Sequence, residues 1–215
     1  MHQAIEALMR FFFKHLYTTF AWMYDFIAWS TSMGQWRTWQ QAAHTNYTAG
    51  KLLELGHGPG HLLLDFLNRE RTIFGVDASV QMTRLARRRL EDAGYEPIVV
   101  RARAQALPFK GDTFSGVVST FPSEYILDEA TLISVSHVLK PMGKFIVIGL
   151  KEITGKGLHD RFASWLYRAT GQSGQSEQTF GPWLELLESH GFEARIEIEQ
   201  QRRAQVLRLV AVSKP

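Results

Sequence analysis

Leu53-Glu54-Leu55-Gly56-His57-Gly58-Pro59-Gly60-His61, with Asp77 trailing Gly60 by seventeen residues at the end of Phe74-Gly75-Val76-Asp77, decides the fold of this chain. The apolar run from Lys51 to Leu55 predicts a buried strand, and the glycines at its carboxyl end predict a tight turn into a helix. In open α/β sheets such a turn is where a nucleotide-like ligand lies, because glycines let the backbone approach it with no side chain between. A second strand, Thr72 to Val76, delivers a carboxylate that can accept hydrogen bonds from both hydroxyls of a ribose. Glycine turn and strand-end acid together describe an adenosyl-binding site.

The glycine spacing separates two ligands. A dinucleotide site is written G-x-G-x-x-G. Counted from Gly56 or Gly58, its third glycine falls on His61 or Leu63. The pattern present is E-x-G-x-G-x-G, which resembles motif I of the class I S-adenosylmethionine-dependent methyltransferases, where the loop passes under a methionyl group and has no phosphates to hold. Two other stretches are similar to that family: Ala106-Leu107-Pro108-Phe109 with Asp112-Thr113-Phe114, and Val138-Leu139-Lys140-Pro141-Met142-Gly143-Lys144, where Met142 replaces one glycine of the usual L-x-P-G-G. The Tyr24-Asp25 pair resembles one that precedes motif I in the ubiquinone/menaquinone, phospholipid and small-molecule methyltransferases.

Beyond the motif the chain alternates as a parallel sheet flanked by helices does. Strands are predicted at 51–56, 71–77, 97–102, 115–121 and 143–150, with helices at 60–69, 79–92 and 127–139. A helical insert (157–170), a helix at 182–189 and strands at 192–199 and 204–212 complete the chain, the last two paired through Gln200 to Arg203. The expected architecture is α/β: a Rossmann-like, seven-stranded, mostly parallel sheet with a C-terminal antiparallel hairpin. It occupies 48–215, after an aromatic-rich N-terminal helical lid at 1–47. That segment, with Ile5, Leu8, Met9, Phe12, Phe13, Leu16, Phe20, Met23 and Ile27 at near-helical spacing and Arg10 and Lys14 on another face, suits a lid over the site, an interfacial helix on lipid, a dimer contact or plain packing on its own domain.

Composition narrows the chemistry. The 215 residues suit one domain, and a net charge of +3 demands no polyanionic partner. The absence of cysteine removes disulfides, thiolate zinc sites and cysteine nucleophiles. No run of eighteen apolar residues reads as a spanning helix, and the N-terminus does not read as a secretory signal. A cytoplasmic protein, at most peripheral to a membrane, is expected. No histidine pair has metal-ligand spacing, so no metal is expected. The Arg84, Arg87, Arg88 and Arg89 run reads as a solvated helix face and not as a nucleic-acid stripe.

The resemblance implies S-adenosyl-L-methionine as cofactor and a set of residues to hold it. Gly56, Gly58 and Gly60 form the turn, Glu54 orients the methionyl ammonium, and Asp77 takes the ribose diol, unless it instead caps the following helix. Ala78, Ala104 and Gln105 surround the adenine, Thr120 ends the fourth strand beside the methyl, and Tyr24 lies near the cofactor. Relatives carry an acid where Arg103 stands, and arginine accepts no hydrogen bond, so adenine falls to backbone near Ala104, to Gln105 and to apolar packing. His57 reads as a loop filler. No catalytic residue declares itself; Glu124, Tyr125 and His159 are the candidates. The expected acceptor is a small hydrophobic or amphipathic molecule, such as a quinone precursor, a phospholipid amine or a secondary metabolite. The rivals are a non-catalytic adenosyl-binding partner subunit and a nicotinamide-dependent oxidoreductase.

Overall fold

The computed structural model describes residues 41–44, 47, 50–154, 177–201 and 204–214. The expected lid with Tyr24, the 157–170 insert with His159, and Arg202 and Arg203 of the hairpin turn lie outside them.

Seven strands form one sheet: β1 (Leu52–Leu55), β2 (Ile73–Asp77), β3 (Val99–Arg101), β4 (Phe114–Thr120), β5 (Leu139–Ile153), β6 (Phe192–Gln201) and β7 (Ala204–Ser213). Their spatial order is β3-β2-β1-β4-β5-β7-β6. The first five are parallel, and β7 runs antiparallel between β5 and β6. The chain moves outward from β1 through β2 to β3, then returns to begin β4 on the other side of β1. This reversal leaves a crevice beyond the carboxyl ends of β1 and β4, the place where open sheets of this kind take ligands.

Burial on both faces explains why the central strands are mostly apolar and do not alternate, with Glu54 in β1 and Ser119 and Thr120 in β4 buried among the apolar residues. All four residues of β1 are buried. Helices α1 (His61–Asn68) and α2 (Val80–Asp92) cover one face through Leu62, Leu63, Phe66, Ala86 and Leu90, joined there by Ala42 and Ala43. Helices α3 (Glu129–Val138) and α4 (Glu177–Ser189) cover the other through Leu132, Val135, Trp183 and Leu187.

Two boundaries depart from expectation for tertiary reasons. β5 starts at Leu139, because Leu139 pairs with Phe114 before the register jumps to Gly116 opposite Lys144. The Pro141-Met142-Gly143 turn is thus a bulge inside the strand, with Met142 at φ 60°. α4 begins at Glu177, not at Pro182, which lies within it. Strands β6 and β7 pair from Phe192↔Ser213 to Gln201↔Ala204, giving the expected antiparallel hairpin.

Candidate active site

The loop between β1 and α1 is built by its own backbone. The Gly56 and His57 N–H groups both donate to the Val76 carbonyl (2.8 and 3.3 Å), and Gly60 N–H donates to the His57 carbonyl (3.0 Å). Gly58 N–H donates to Asp77 Oδ2 (2.9 Å), and Pro59 has no N–H to give. A pyrophosphate needs several free N–H donors in such a loop. Residues 56–60 have spent theirs internally, which argues against a dinucleotide.

Each loop glycine answers a different demand. Gly56, at φ 67°, has the Tyr125 hydroxyl only 2.5 Å from where a Cβ would sit. Gly58, at φ 54°, would meet nothing within 4 Å, so a side chain there would stand in the open space above the loop. Gly60 would place a Cβ 2.8 Å from the Ala86 methyl; it brings α1 and α2 together and does not line the cavity. Arg89, expected on a solvated face, is half-buried and reaches back to donate to the Pro59 carbonyl.

Asp77 faces this loop from the end of β2. Its Oδ1 accepts from Ser79 N–H (2.8 Å) while Oδ2 takes Gly58. The helix cap is Ser79, whose hydroxyl accepts from Met82 N–H (3.3 Å). A carboxylate offers about four acceptor positions. Asp77 uses two on backbone and is relieved of capping, so two remain for a diol.

A cavity of about 390 Å³ opens between these parts, a volume suited to a small organic ligand. One wall is Asp77, Ala78 and Met82; a second is Ala102 to Gln105; a third is Thr120 with Phe121 and Tyr125. Thus Gly56, Gly58, Asp77, Ala78, Ala104, Gln105, Thr120 and Tyr125 come together as expected. Sequence reasoning missed Val76, Ser79, Met82 and Ala102 on the walls; they are neighbours of motif residues with no chemical signature of their own.

Glu54 and Glu124 are placed elsewhere. Glu124 is exposed in a short 3₁₀ turn, Glu124–Leu127, and does not line the cavity. Glu54 is 1% exposed, behind the cavity wall, with Oε2 unpartnered. Burial first, and the charge of Asp77 second, push its carboxyl well above the ordinary glutamate range. Tyr47 shares this region: burial, then Glu54, drive its phenol well up, and its hydroxyl is also unpartnered. His57 is 3% exposed, its Nδ1–H donating to the Gly58 carbonyl (2.7 Å) and its Nε2 unpartnered. Burial lowers its affinity for a proton against the pull of Asp77. Its ring packs where a side chain on Gly75 would otherwise stand, as befits a structural filler.

The aromatic wall is braced as firmly. Ser119 Oγ donates to the Leu55 carbonyl (2.8 Å), and the Tyr125 hydroxyl lies 3.0 Å from Ser119 Oγ and 3.3 Å from the same carbonyl. Tyr125 therefore ties β4 to the end of β1, and its hydroxyl is engaged in holding the loop. Phe121 sits at φ 50°, its N–H donating to the Ile148 carbonyl (2.7 Å). Backbone strain of this kind, at about 1–3 kcal/mol per residue, collects at functional sites. Among the described residues no group of three potential metal ligands converges.

Comparison with known proteins agrees with this geometry. The family described as "Methyltransferase domain" matches residues 52–143. The chain is 31% identical over 144 residues to the demethylmenaquinone methyltransferase of Symbiobacterium thermophilum, covering 63% of this chain and 57% of that protein. It is 30% identical over 110 residues to a phosphatidylethanolamine N-methyltransferase of Cereibacter sphaeroides, covering 50% and 54%. The match thus spans little more than half the length of these two relatives. A SAM-dependent methyltransferase structure from Aquifex aeolicus superposes with a TM-score of 0.60 at 16% identity, covering 80% of this chain and 87% of that one, which speaks to the fold. Strand order, spent loop donors, facing acid and domain match converge: residues 52–143 match a methyltransferase domain, and the chain is similar in sequence and fold to S-adenosylmethionine-dependent methyltransferases.

Proposed function

We propose that this domain transfers a methyl group from S-adenosyl-L-methionine to a small hydrophobic or amphipathic acceptor. The observation that carries the reading is Asp77, held by two backbone N–H groups and lining a cavity that Phe121 and Tyr125 also line. The residues fit the cofactor. Asp77 would take the ribose hydroxyls, Ala78, Ala104 and Gln105 the purine, and the open face above Gly56 and Gly58 the methionyl chain. Glu54, carrying a buried unpartnered oxygen, would meet the ammonium's charge from behind the loop. Tyr24 and His159, outside the described residues, remain proposed neighbours of cofactor and acceptor.

When bound, the cofactor supplies a methyl group on a sulfonium, open to attack from the side opposite sulfur. The protein's work is then to align the two reactants and keep water out. Phe121 and Tyr125 would wall the acceptor side, where ring faces favour a cation. With the Tyr125 hydroxyl engaged and Glu124 outside the cavity, neither is proposed as a base; an acceptor already nucleophilic, such as a neutral amine or an acidic carbon, suits such a site.

The names of the two relatives support a quinone precursor or a phospholipid amine as the class to try first. We also propose that the protein acts in the cytoplasm or against a membrane surface through its N-terminal segment, with no nucleic-acid partner; no helix among the described residues is long and apolar enough to cross a membrane. The test is calorimetry with S-adenosylhomocysteine, followed by methyl transfer to a demethylated naphthoquinol and to phosphatidylethanolamine vesicles. Binding with transfer to either acceptor is expected. Failure to bind S-adenosylhomocysteine overturns the reading, and tight binding without transfer to any acceptor favours the non-catalytic subunit instead.

A further inference from the structure

Arg103 lines the wall proposed for the purine, and its guanidinium can only donate, so it cannot accept from an exocyclic amine. The acceptor lies two residues on. Gln105 lines the cavity, and its side-chain amide is anchored: Nε2 donates to Asp128 Oδ2 (3.2 Å), from a residue that is not itself on the cavity wall. A carboxylate oxygen only accepts, so the amide cannot be turned over without losing that bond. The nitrogen end is therefore held away at Asp128, and Oε1 is the end left for a ligand.

Asp128 is itself fixed from two directions. Its Oδ1 accepts from Ala130 N–H (3.1 Å) as the N-cap of α3, and its own N–H donates to the Tyr125 carbonyl (3.3 Å). One residue thus joins the end of the aromatic wall, the start of α3 and the polar tip of the opposite wall.

We propose that Gln105 Oε1 reads the 6-amino group of the cofactor's purine, and that Asp128 is the positioning residue that sets the amide this way round. The proposal deepens the methyltransferase reading and rests on it. It also carries a reversal: Asp128→Asn keeps an Oδ1 able to cap α3, but offers Gln105 a donor where Oδ2 stood. Gln105 would then turn its oxygen to position 128 and present Nε2, a donor, to the purine amine.

The experiment compares S-adenosylhomocysteine with its 6-desamino analogue, which has a plain purine and keeps the ring nitrogens as acceptors. Calorimetry on the full chain is run for wild type, Asp128→Asn and Gln105→Ala. Wild type is expected to prefer the amino ligand by roughly 5- to 10-fold, the scale of one modest hydrogen bond. In both variants that preference should fall below about 2-fold, and Asp128→Asn should show it inverted if any remains. The ratio is independent of how much correctly folded protein each variant yields, so a merely structural role for Asp128 leaves it unchanged. Equal binding of the two ligands by wild type overturns the inference, as does an undiminished preference in either variant. Binding of neither ligand by wild type is a separate result, which removes the methyltransferase reading beneath it.

Discussion

Asp77 carries two loads, one in the empty protein and one with ligand, and Asp77→Ala should reveal both separately. In the unliganded protein the change strips the acceptor from Gly58 N–H and Ser79 N–H. Asp77 is half-buried, so water replaces part of each bond, and a loss of roughly 0.5–1.5 kcal/mol apiece is expected. For a chain of this size each kcal/mol moves Tm by about 2–4 °C, leaving the variant folded at 25 °C. On binding, the same change removes a charged acceptor from the ribose, about 1.5–3 kcal/mol or roughly 10- to 150-fold in Kd. Loop distortion alone also weakens binding, so affinity by itself decides nothing. The decisive assay is a cycle pairing the variant with the 2′,3′-dideoxy form of S-adenosylhomocysteine. Wild type should lose about 1.5–3 kcal/mol when the hydroxyls go, and Asp77→Ala almost none. If the two losses simply add, with a coupling below about 0.5 kcal/mol and circular dichroism unchanged, Asp77 does not hold the diol.

Glu54→Gln should stabilise the unliganded protein at neutral pH. Above the ordinary glutamate range the unfolded chain releases this proton while the folded chain keeps it, so stability falls as pH rises, by up to about 1.4 kcal/mol per unit; denaturant melts from pH 4.5 to 8 should show wild type and variant diverging upward, and parallel curves would refute the buried neutral acid. His57 has the opposite sign: its folded-state affinity for protons is lowered, so its contribution is lost as pH falls below about 6.5, and Glu54→Gln, which keeps this loss without the opposing gain from Glu54, should lose stability toward acid where wild type stays closer to level. Gly58→Ala should leave Tm within roughly 2–4 °C of wild type, reflecting about 1 kcal/mol of left-handed backbone cost, yet weaken S-adenosylhomocysteine binding; Gly60→Ala should do most of its damage to Tm by forcing α1 from α2. The reverse ordering in paired melting and calorimetry runs would show that the roles of the two glycines have been exchanged.

What could be read in advance follows the range of the forces involved. β1, β2 and β4 were legible because burial on both faces favours mostly apolar runs without alternation, and the glycine turn because backbone geometry is local. Side-chain reach is not local. Arg89 belongs by sequence to a charged helix face, but its guanidinium spans to Pro59, thirty residues away, and becomes part of the loop. Whether Asp77 takes the diol or caps the following helix was open until each oxygen's donor was known; the cap is Ser79. Glu54 shows the same limit from the other side. Its motif position was plain, but whether it faces ligand or core depends on Tyr47 and the second layer. Tyr125 was read as a reactive candidate because its type and place fit; the carbonyl that engages its hydroxyl belongs to Leu55, seventy residues earlier.

Among the described residues four non-glycine positions lie in the left-handed region, and two of them, Phe121 and Met142, let strain be separated from use. Each bears about 1–2 kcal/mol for its conformation. Met142 is 61% exposed in the bulge, and its side chain returns nothing for the strain. Met142→Gly should therefore gain about 0.5–1 kcal/mol once glycine's extra unfolded-state entropy is subtracted, a rise of roughly 1–4 °C in Tm, with S-adenosylhomocysteine affinity unchanged. Phe121 occupies the same backbone region at the cavity, and its ring packs against the buried cluster around Leu62 and Ile148. Phe121→Gly relieves the same strain but forfeits that half-buried ring, worth roughly 1.5–2.5 kcal/mol if half the loss for a fully buried phenylalanine applies. It should lower stability by about 1 kcal/mol and impair methyl transfer more than cofactor binding. If both glycine variants raise Tm equally, the Phe121 ring is not bearing on the core, and its place in the acceptor wall falls with it.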